Sequence, residues 1–235
     1  VWDVELLSRV LERSELRPVI NRSLAHYVGY LVARDGALVL DPARLGELSG
    51  IAHSALMLLA LAESRLPRRD EHIIGLAEGI LRQQRPDGSY RIYFGAEEDE
   101  GLELYPGEAM LALMQAYARL HDPRYLNSVE RGFGHHRDHF PASAIASDLL
   151  VFYANWQSQY AARLHAETHS HALRGAVRDY VFALHDAVLG GGFYEDVERQ
   201  PMQQATVEVA CALEGLNDAY AIAARERDAE RERTY

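Results

Sequence analysis

Four segments of the chain begin alike, and they constrain the fold more than any other feature. Each is a polar or acidic residue followed by a run of almost uniformly apolar residues, which is typical of a helix buried on two sides. The segments begin at Ser54, Glu108, Asp148 and Glu208. Their starts are 54, 40 and 60 residues apart, so a buried helix recurs roughly every 50 residues along the chain.

Helical periodicity dominates the rest of the chain as well. Apolar residues recur at three- and four-residue spacing. This pattern predicts helices at 2–13, 20–34, 51–65, 71–84, 107–121, 123–138, 147–164, 167–188 and 204–230. The helices between the four apolar ones carry more charge and have one apolar face, so buried and exposed helices alternate. Strand-like alternation is scarce, and residues 90–94 are its best short example.

This alternation predicts an all-α fold, an α/α toroid whose inner helices form a ring and run in the same direction. A closed ring of six hairpins, an (α/α)6 barrel, needs about twelve helices, or roughly 300 residues. The chain has 235 residues and about nine predicted helices. We therefore expect a shortened or incomplete toroid, either a single domain over 1–235 or a fragment of a longer chain. An ordinary helical bundle or an α-solenoid would show the same alternation.

Charge and residue types exclude several classes of function. The 35 acidic residues outnumber the 24 basic ones, and the net charge of −11 argues against nucleic acid or an anionic membrane as the main partner. Every basic residue is arginine, which excludes lysine Schiff-base chemistry and a P-loop. The single Cys211 excludes an intrachain disulfide and a multi-cysteine zinc site. We expect no cofactor.

The chain also lacks the features of a membrane or secreted protein. Its longest apolar stretch, residues 55–62, is far shorter than the ~20 residues that span a bilayer. Its acidic, amphipathic start does not resemble a signal peptide. The sequence therefore predicts a cytoplasmic protein.

The residues that open the inner helices form the first candidate site. In a toroid the N-termini of parallel inner helices meet at one mouth, so Glu108, Asp148 and Glu208 are predicted to converge as proton-transfer groups. His53, next to Ser54, is the predicted proton-carrying histidine. The alternative is a purely structural role, because acidic residues in a helix first turn are favoured by the helix dipole and by capping.

Two glycine turns, each followed by an aromatic residue, form the second candidate site. Residues 83–94 read QQRPDGSYRIYF, and residues 190–196 read GGGFYED. At the rim of a cavity such tyrosines could stack on a sugar ring or an apolar substrate. The predicted substrate-binding residues are Asp87, Tyr90, Tyr105, Trp156 and Tyr194. The alternative is that these aromatic rings only hold one helical hairpin to the next.

These motifs resemble known α/α toroids. Residues 84–90 have the Gln-x-x-x-Gly-x-aromatic spacing of the QW repeat of terpenoid cyclases, with Tyr90 in place of the usual Trp. Residues 105–113 and 122–126 resemble the helix pair of glucuronyl C5-epimerases, N-acylglucosamine 2-epimerases and six-hairpin glycosidases, and residues 205–216 are similar to their closing helix. The resemblance covers about residues 20–222 and implies a toroid with a central cavity.

The departures from these families leave the reaction open. The sequence contains no Asp-x-Asp-Asp acid motif of class II terpene cyclases. One cysteine cannot build the zinc site of lanthionine cyclases, which uses two cysteines and a histidine. No complete glycosidase signature is present.

Histidines and a run of acids complete the candidates. His135 with His139, and His165 with His169, have the spacing of a metal-chelating pair on one helix face. Their place on outer helices favours a solvated surface, and no metal site is predicted. Residues 97–105 form an acidic loop that lacks calcium-loop spacing, so we interpret it as a mobile loop over the mouth.

Three functions remain. The first is a carbohydrate-processing enzyme, an epimerase or a glycoside hydrolase, with a small-molecule or saccharide ligand in the central cavity. The second is a non-catalytic α/α module that binds a partner or supports a larger enzyme, which the incomplete helix count favours. The third, a terpenoid-cyclase-like protein, rests on one imperfect repeat.

Overall fold

The computed structural model describes residues 16–97, 100–193 and 202–235, with the backbone alone for 202–206. The helices are α1 (Arg17–Val28), α2 (Pro42–Leu45), α3 (Ile51–Glu63), α4 (Arg69–Gln83), α5 (Tyr105–Leu120), α6 (Pro123–His139), α7 (Leu150–Glu167), α8 (His171–Gly190), α9 (Met202–Glu226) and α10 (Arg231–Thr234). The strands are β1 (Leu31–Arg34) and β2 (Ala37–Leu40). The prediction of a mostly helical protein is confirmed. The helix predicted at 2–13 lies outside the described residues.

The helix predicted over 20–34 is wrong at its C-terminal end. α1 ends at Val28, and the chain then forms an antiparallel hairpin in which Leu31 pairs with Leu40. Asp35 and Gly36 occupy the two turn positions with φ of 50° and 79°. An Asp-Gly pair readily adopts these two left-handed conformations, which match the twist of a two-residue hairpin. Residues 90–94, the best strand-like segment in the sequence, take part only in single bridges.

The chain divides into two compact units, one ending at Val129 and the other beginning at Glu130. We call them unit one and unit two. The division falls inside α6.

Unit one packs α3 and α5 side by side in the same direction. Near the ends of the two helices, the Gln115 side chain donates a hydrogen bond to Glu63 at 3.2 Å. α4 packs on both helices. Asp70 at the start of α4 pairs with Arg119 at the end of α5, which shows that α4 runs in the opposite direction. Residues 106–114 of α5 are all buried, whereas α4 buries one face. β2 covers another part of α4.

Unit two repeats this arrangement with α7, α8 and α9. The Asn155 amide donates to Glu214 at 3.2 Å, and further along both helices His165 Nε2 lies 2.9 Å from Glu226 Oε1. α7 and α9 therefore run in the same direction. α8 runs in the opposite direction, because Arg178 in its first half lies 3.8 Å from Glu226 at the end of α9.

α9 departs from the predicted pattern of a helix that is buried on two sides. Val207, Leu213 and Tyr220 are 68%, 56% and 44% exposed. The prediction that this segment is buried nearly all round is therefore wrong. The buried residues of α9 are mostly alanines such as Ala212 and Ala219, together with Ile222, and the helix packs on α7.

Candidate functional site

Glu108 is the most unusual of the predicted catalytic residues. It lies in the first turn of α5 and is only 7% exposed, and Pro106 precedes it near the start of the helix. Its Oε2 atom is buried, and no group in the described part of the chain forms a hydrogen bond with it. Burial raises the pKa of Glu108 from 4.5 to about 7. At neutral pH this carboxyl is present in both protonated and ionised forms, so it can donate or accept a proton.

Ser54 occupies the matching position of the neighbouring helix. Ser54 is the fourth residue of α3, and Glu108 is the fourth residue of α5. Because the two helices are parallel, both residues lie at the same end of the pair. Ser54 is fully buried, and its hydroxyl also has no hydrogen-bond partner among the described residues. The start of the α3–α5 pair therefore holds two buried polar groups that the described part of the chain leaves without a hydrogen bond.

His53 has a different environment. Its Nδ1 accepts a hydrogen bond from the Gly50 backbone N–H at 3.1 Å, which caps the start of α3. Its Nε2 lies 3.3 Å from Glu47 Oε1 on the surface. In this geometry the neutral ring carries its proton on Nε2, and both ring nitrogens face partners within the fold.

The other two predicted acids belong to unit two. Asp148 is exposed in the turn before α7, which begins at Leu150 and so starts later than predicted. Glu208 is half-buried in the first part of α9. Both lie towards the N-terminal end of the parallel α7–α9 pair. The convergence of all the inner-helix acids at one mouth stays a prediction.

The predicted substrate-binding turn is tied into unit one. Asp87 Oδ1 accepts from the Ser89 backbone N–H at 3.0 Å and from its hydroxyl at 2.7 Å. Tyr90 is fully buried, and its hydroxyl lies 2.9 Å from Ser128 Oγ. Gln84 binds the same serine through its side chain. The Tyr90 ring thus joins the turn to α6 and offers no exposed face.

The remaining predicted aromatics have three different placements. Tyr105 is half-buried at the start of α5, with its ring against the backbone of Gly101. Trp156 is half-buried on α7. Tyr194 lies outside the described residues, as does part of the acidic loop at 98–99.

Two of the histidines lie inside unit two, contrary to the expected solvated surface. His136 is 1% exposed, and burial is the main cause that lowers its pKa to about 3. Its Nδ1 faces the Tyr153 hydroxyl, which lies 2.6 Å from the hydroxyl of Tyr180. His165 is 2% exposed and contacts Glu226. Among the described residues no three His, Cys, Asp or Glu side chains are grouped to hold a metal ion.

Sequence reasoning missed a second acid with a raised pKa, the half-buried Asp218 on α9. Burial is the main cause that raises its pKa to about 7, and Glu214 one turn earlier adds to this, while Arg163 and Arg225 oppose it. The signal in the sequence was an acid on a face of α9 that also carries Ala219 and Ile222. Repeat alignment at helix starts could not find it, because Asp218 lies in the second half of its helix.

It also missed a small cavity of unit one, which we call the hairpin pocket. The pocket has a volume of about 150 Å³ and lies beside the β1–β2 turn. Arg34, Arg82, Val39 and Phe94 are among its lining residues. Neither Glu108 nor Ser54 lines it. The helix predicted over 20–34 included the first strand of the hairpin beside this pocket, so the hairpin was not predicted.

None of the helices in the described part of the chain is both long and apolar enough to cross a membrane. Comparison of the chain with family models, curated proteins and solved structures finds no match in any of the three.

Proposed function

We propose that this chain is a carbohydrate-processing enzyme of the α/α-toroid type that uses Glu108 for proton transfer. The observation that carries the proposal is the buried Glu108 carboxyl, with its unpartnered Oε2 and a pKa raised to about 7. General acid–base catalysis is most effective when the pKa of the group lies near the working pH. Both sugar epimerisation and glycoside hydrolysis need such a group.

The toroid is supported by the helix directions within each unit. In unit one α3 and α5 are parallel, and in unit two α7 and α9 are parallel, each pair with a returning helix. Parallel inner helices are what a toroid requires. Tyr105, at the start of the same helix as Glu108, is the aromatic residue of unit one that the proposal assigns to the sugar ring. The roles of Asp148, Glu208 and Trp156 stay predictions. The carbohydrate substrate itself rests on the sequence resemblance.

The decisive experiment is the Glu108→Gln variant, assayed by NMR against a panel of free sugars and oligosaccharides for epimerisation and for released sugar. We expect Glu108→Gln to lower kcat/KM by about 100-fold or more, the usual range for removing a general acid or base. The kcat/KM of the wild-type protein should depend on a group with a pKa near 7, and this dependence should vanish in the variant.

Asp218→Asn is the matched control, because Asp218 is another acid with a raised pKa but lies away from the helix starts. Its turnover should equal that of the wild-type protein. Equal turnover in Glu108→Gln and wild type would refute the assignment of Glu108. Equal losses in both variants would show a general effect of removing buried acids.

The alternative is a non-catalytic helical module, and one observation favours it. Asp87 and Tyr90, two of the predicted substrate-binding residues, have their side chains bound within the fold. If the chain is such a module, Glu108→Gln would change only the stability of the fold. A wild-type protein that turns over none of the sugars would favour the module over the enzyme, whereas a more stable Glu108→Gln variant is expected for both.

A further inference from the structure

The hairpin pocket brings two guanidinium groups to one small cavity. Arg34 ends β1, and Arg82 lies near the end of α4. Arg34 Nη1 donates to the Phe94 carbonyl at 2.9 Å. Arg82 Nη1 donates to the Asp35 carbonyl, and its Nε donates to Glu78 at 3.1 Å. These bonds hold both side chains in place at the pocket.

Both groups keep further N–H donors. A guanidinium carries five N–H groups in a planar fork. The hydrogen bonds above use one donor of Arg34 and two of Arg82. Among the described residues no other side chain or carbonyl accepts from these two guanidiniums. Two oriented arginines with unused donors are the usual protein surface for a carboxylate.

Among the described residues, Arg34 supplies the positive charge at the pocket that lacks a carboxylate partner. Arg34 has no carboxylate within ion-pair distance in the described part of the chain. Glu78, the partner of Arg82, is shared with Arg124 at 3.1 Å. Arg124 is also paired with Asp122 at 2.8 Å. Asp35 lines the pocket and, with Glu78, opposes an anion. The attraction for an anion therefore rests on Arg34 and on the unused N–H donors of Arg82, in a chain whose net charge of −11 repels anions as a whole.

Much of the rest of the wall is apolar. Ala37 and Val39 of β2 are 5% and 2% exposed, and Phe94 also lines the pocket, as does the polar Gln83. A cavity of about 150 Å³ is smaller than a typical drug-sized pocket of roughly 300–1,000 Å³. It has room for one short branched hydrocarbon group beside the carboxylate.

We propose that the hairpin pocket binds the carboxylate of a small apolar acid, with Arg34 and Arg82 on the carboxylate and Val39 and Phe94 on the hydrocarbon group. This chemistry occurs both in free short-chain acids and at the C-terminus of a peptide that ends in a small apolar residue. The site is separate from Glu108, so this proposal does not depend on the proposed reaction.

The first test uses the unaltered protein. Isobutyrate and the neutral isobutyramide are titrated in parallel, and backbone amide shifts of the β1–β2 turn are followed by NMR. We expect saturable shifts with isobutyrate and at least tenfold weaker binding of the amide. Equal responses to both compounds, or no response at the turn, would overturn the proposal. A peptide ending in Val, with a free or an amidated C-terminus, then distinguishes the two sources of the carboxylate.

The second test removes the charges. Arg34→Gln and Arg82→Gln should each weaken isobutyrate binding at least tenfold, whereas Arg65→Gln, an exposed arginine of the same unit outside the pocket, should not change it. Circular dichroism checks that each variant is folded. Arg82→Lys keeps the charge but loses the planar fork, and binding between that of wild type and Arg82→Gln is expected. Wild-type affinity in both glutamine variants would refute the role of the arginines.

Discussion

The two units have the same helix arrangement but differ in how many polar side chains bind one another between their helices. Among the side chains that unit one buries in α3 and α5 are Leu58, Leu61 and Met110. In the described part of the chain, unit two has more polar pairs between α7, α8 and α9, each with at least one buried residue. These include the Asn155–Glu214 and Ser158–His185 hydrogen bonds and the His165–Glu226 contact.

The two acids with raised pKa values reflect this difference. In unit two, Arg163 and Arg225 oppose the rise in the pKa of Asp218, while Glu214 adds to it. In unit one, Glu108 meets no such groups, and burial is the sole cause of its raised pKa. Apolar surroundings thus raise the free energy needed to ionise this carboxyl. Carboxyls with such raised pKa values are common at catalytic sites.

The largest effect should come from the apolar side chains buried in unit one. Leu58→Ala in α3 removes a fully buried side chain and should lower the free energy of unfolding by about 2–5 kcal/mol. Ser158→Ala in α7 is the matched change in unit two. It leaves Nε2 of the buried His185 without its partner and should cost about 1–3 kcal/mol. Urea unfolding at pH 7 measures both variants.

A cost for Ser158→Ala that equals or exceeds that of Leu58→Ala would break the comparison. It would mean that the polar network, rather than apolar burial, carries most of the stability of unit two. Ile74→Ala on the exposed face of α4 is the control and should change stability little, since its side chain is 47% exposed.

The second prediction concerns high pH. The folded pKa of Glu108 is about 7 against 4.5 in the unfolded chain, so its ionisation destabilises the folded state as pH rises from 4.5 through 7. Glu108→Gln should therefore be more stable than wild type at pH 8, by up to about 3 kcal/mol. At pH 4 to 5, where Glu108 is protonated in the folded state, the two proteins should have similar stabilities.

Thermal or urea unfolding across this pH range measures the difference. Asp218 contributes with the same sign in unit two, so the wild-type curve alone does not isolate Glu108. The difference between wild type and Glu108→Gln does. A difference that does not change with pH would show that Glu108 is not buried in the way described.

The third prediction concerns low pH and unit two. Burial lowers the pKa of His185 from 6.5 to about 4. The neutral ring is therefore preferred in the folded state, and the stability it preserves above pH 6.5 is lost as pH falls towards 4. His136 acts in the same direction. We expect unit two to unfold at a higher pH in acid titration than unit one.

Trp156 on α7 supplies the local signal for this experiment in a Trp2→Phe background, which leaves one tryptophan. A His185→Gln variant should flatten the pH dependence of the Trp156 transition between pH 6.5 and 4. The same dependence in variant and wild type would assign the acid transition to other groups.

The sequence could predict the helices and the special position of Glu108, because both follow from local periodicity and from repeat alignment. It could not predict the hairpin at Asp35, where apolar residues on both strands also fit a helical pattern. It could not predict that Tyr90 lies inside unit one, since an aromatic after a glycine turn fits a rim and a core equally well. Asp218 and Arg34 became candidates only through their surroundings in the fold. These surroundings depend on contacts between residues that are distant in the chain.

The last prediction concerns two glycines, which test how closely the helices of unit two are packed. A Cβ at Gly215 on α9 would lie 2.9 Å from the Asn155 backbone Cα of α7, closer than real contacts allow. Gly215→Ala should therefore destabilise the protein by about 1–3 kcal/mol, because the two helices must move apart. A Cβ at Gly175 in α8 meets open space, so Gly175→Ala should stabilise by about 0.5–1 kcal/mol through helix propensity alone. Opposite signs in urea unfolding would confirm the close approach of α7 and α9, whereas stabilisation by both variants would show that these helices are packed less closely than described.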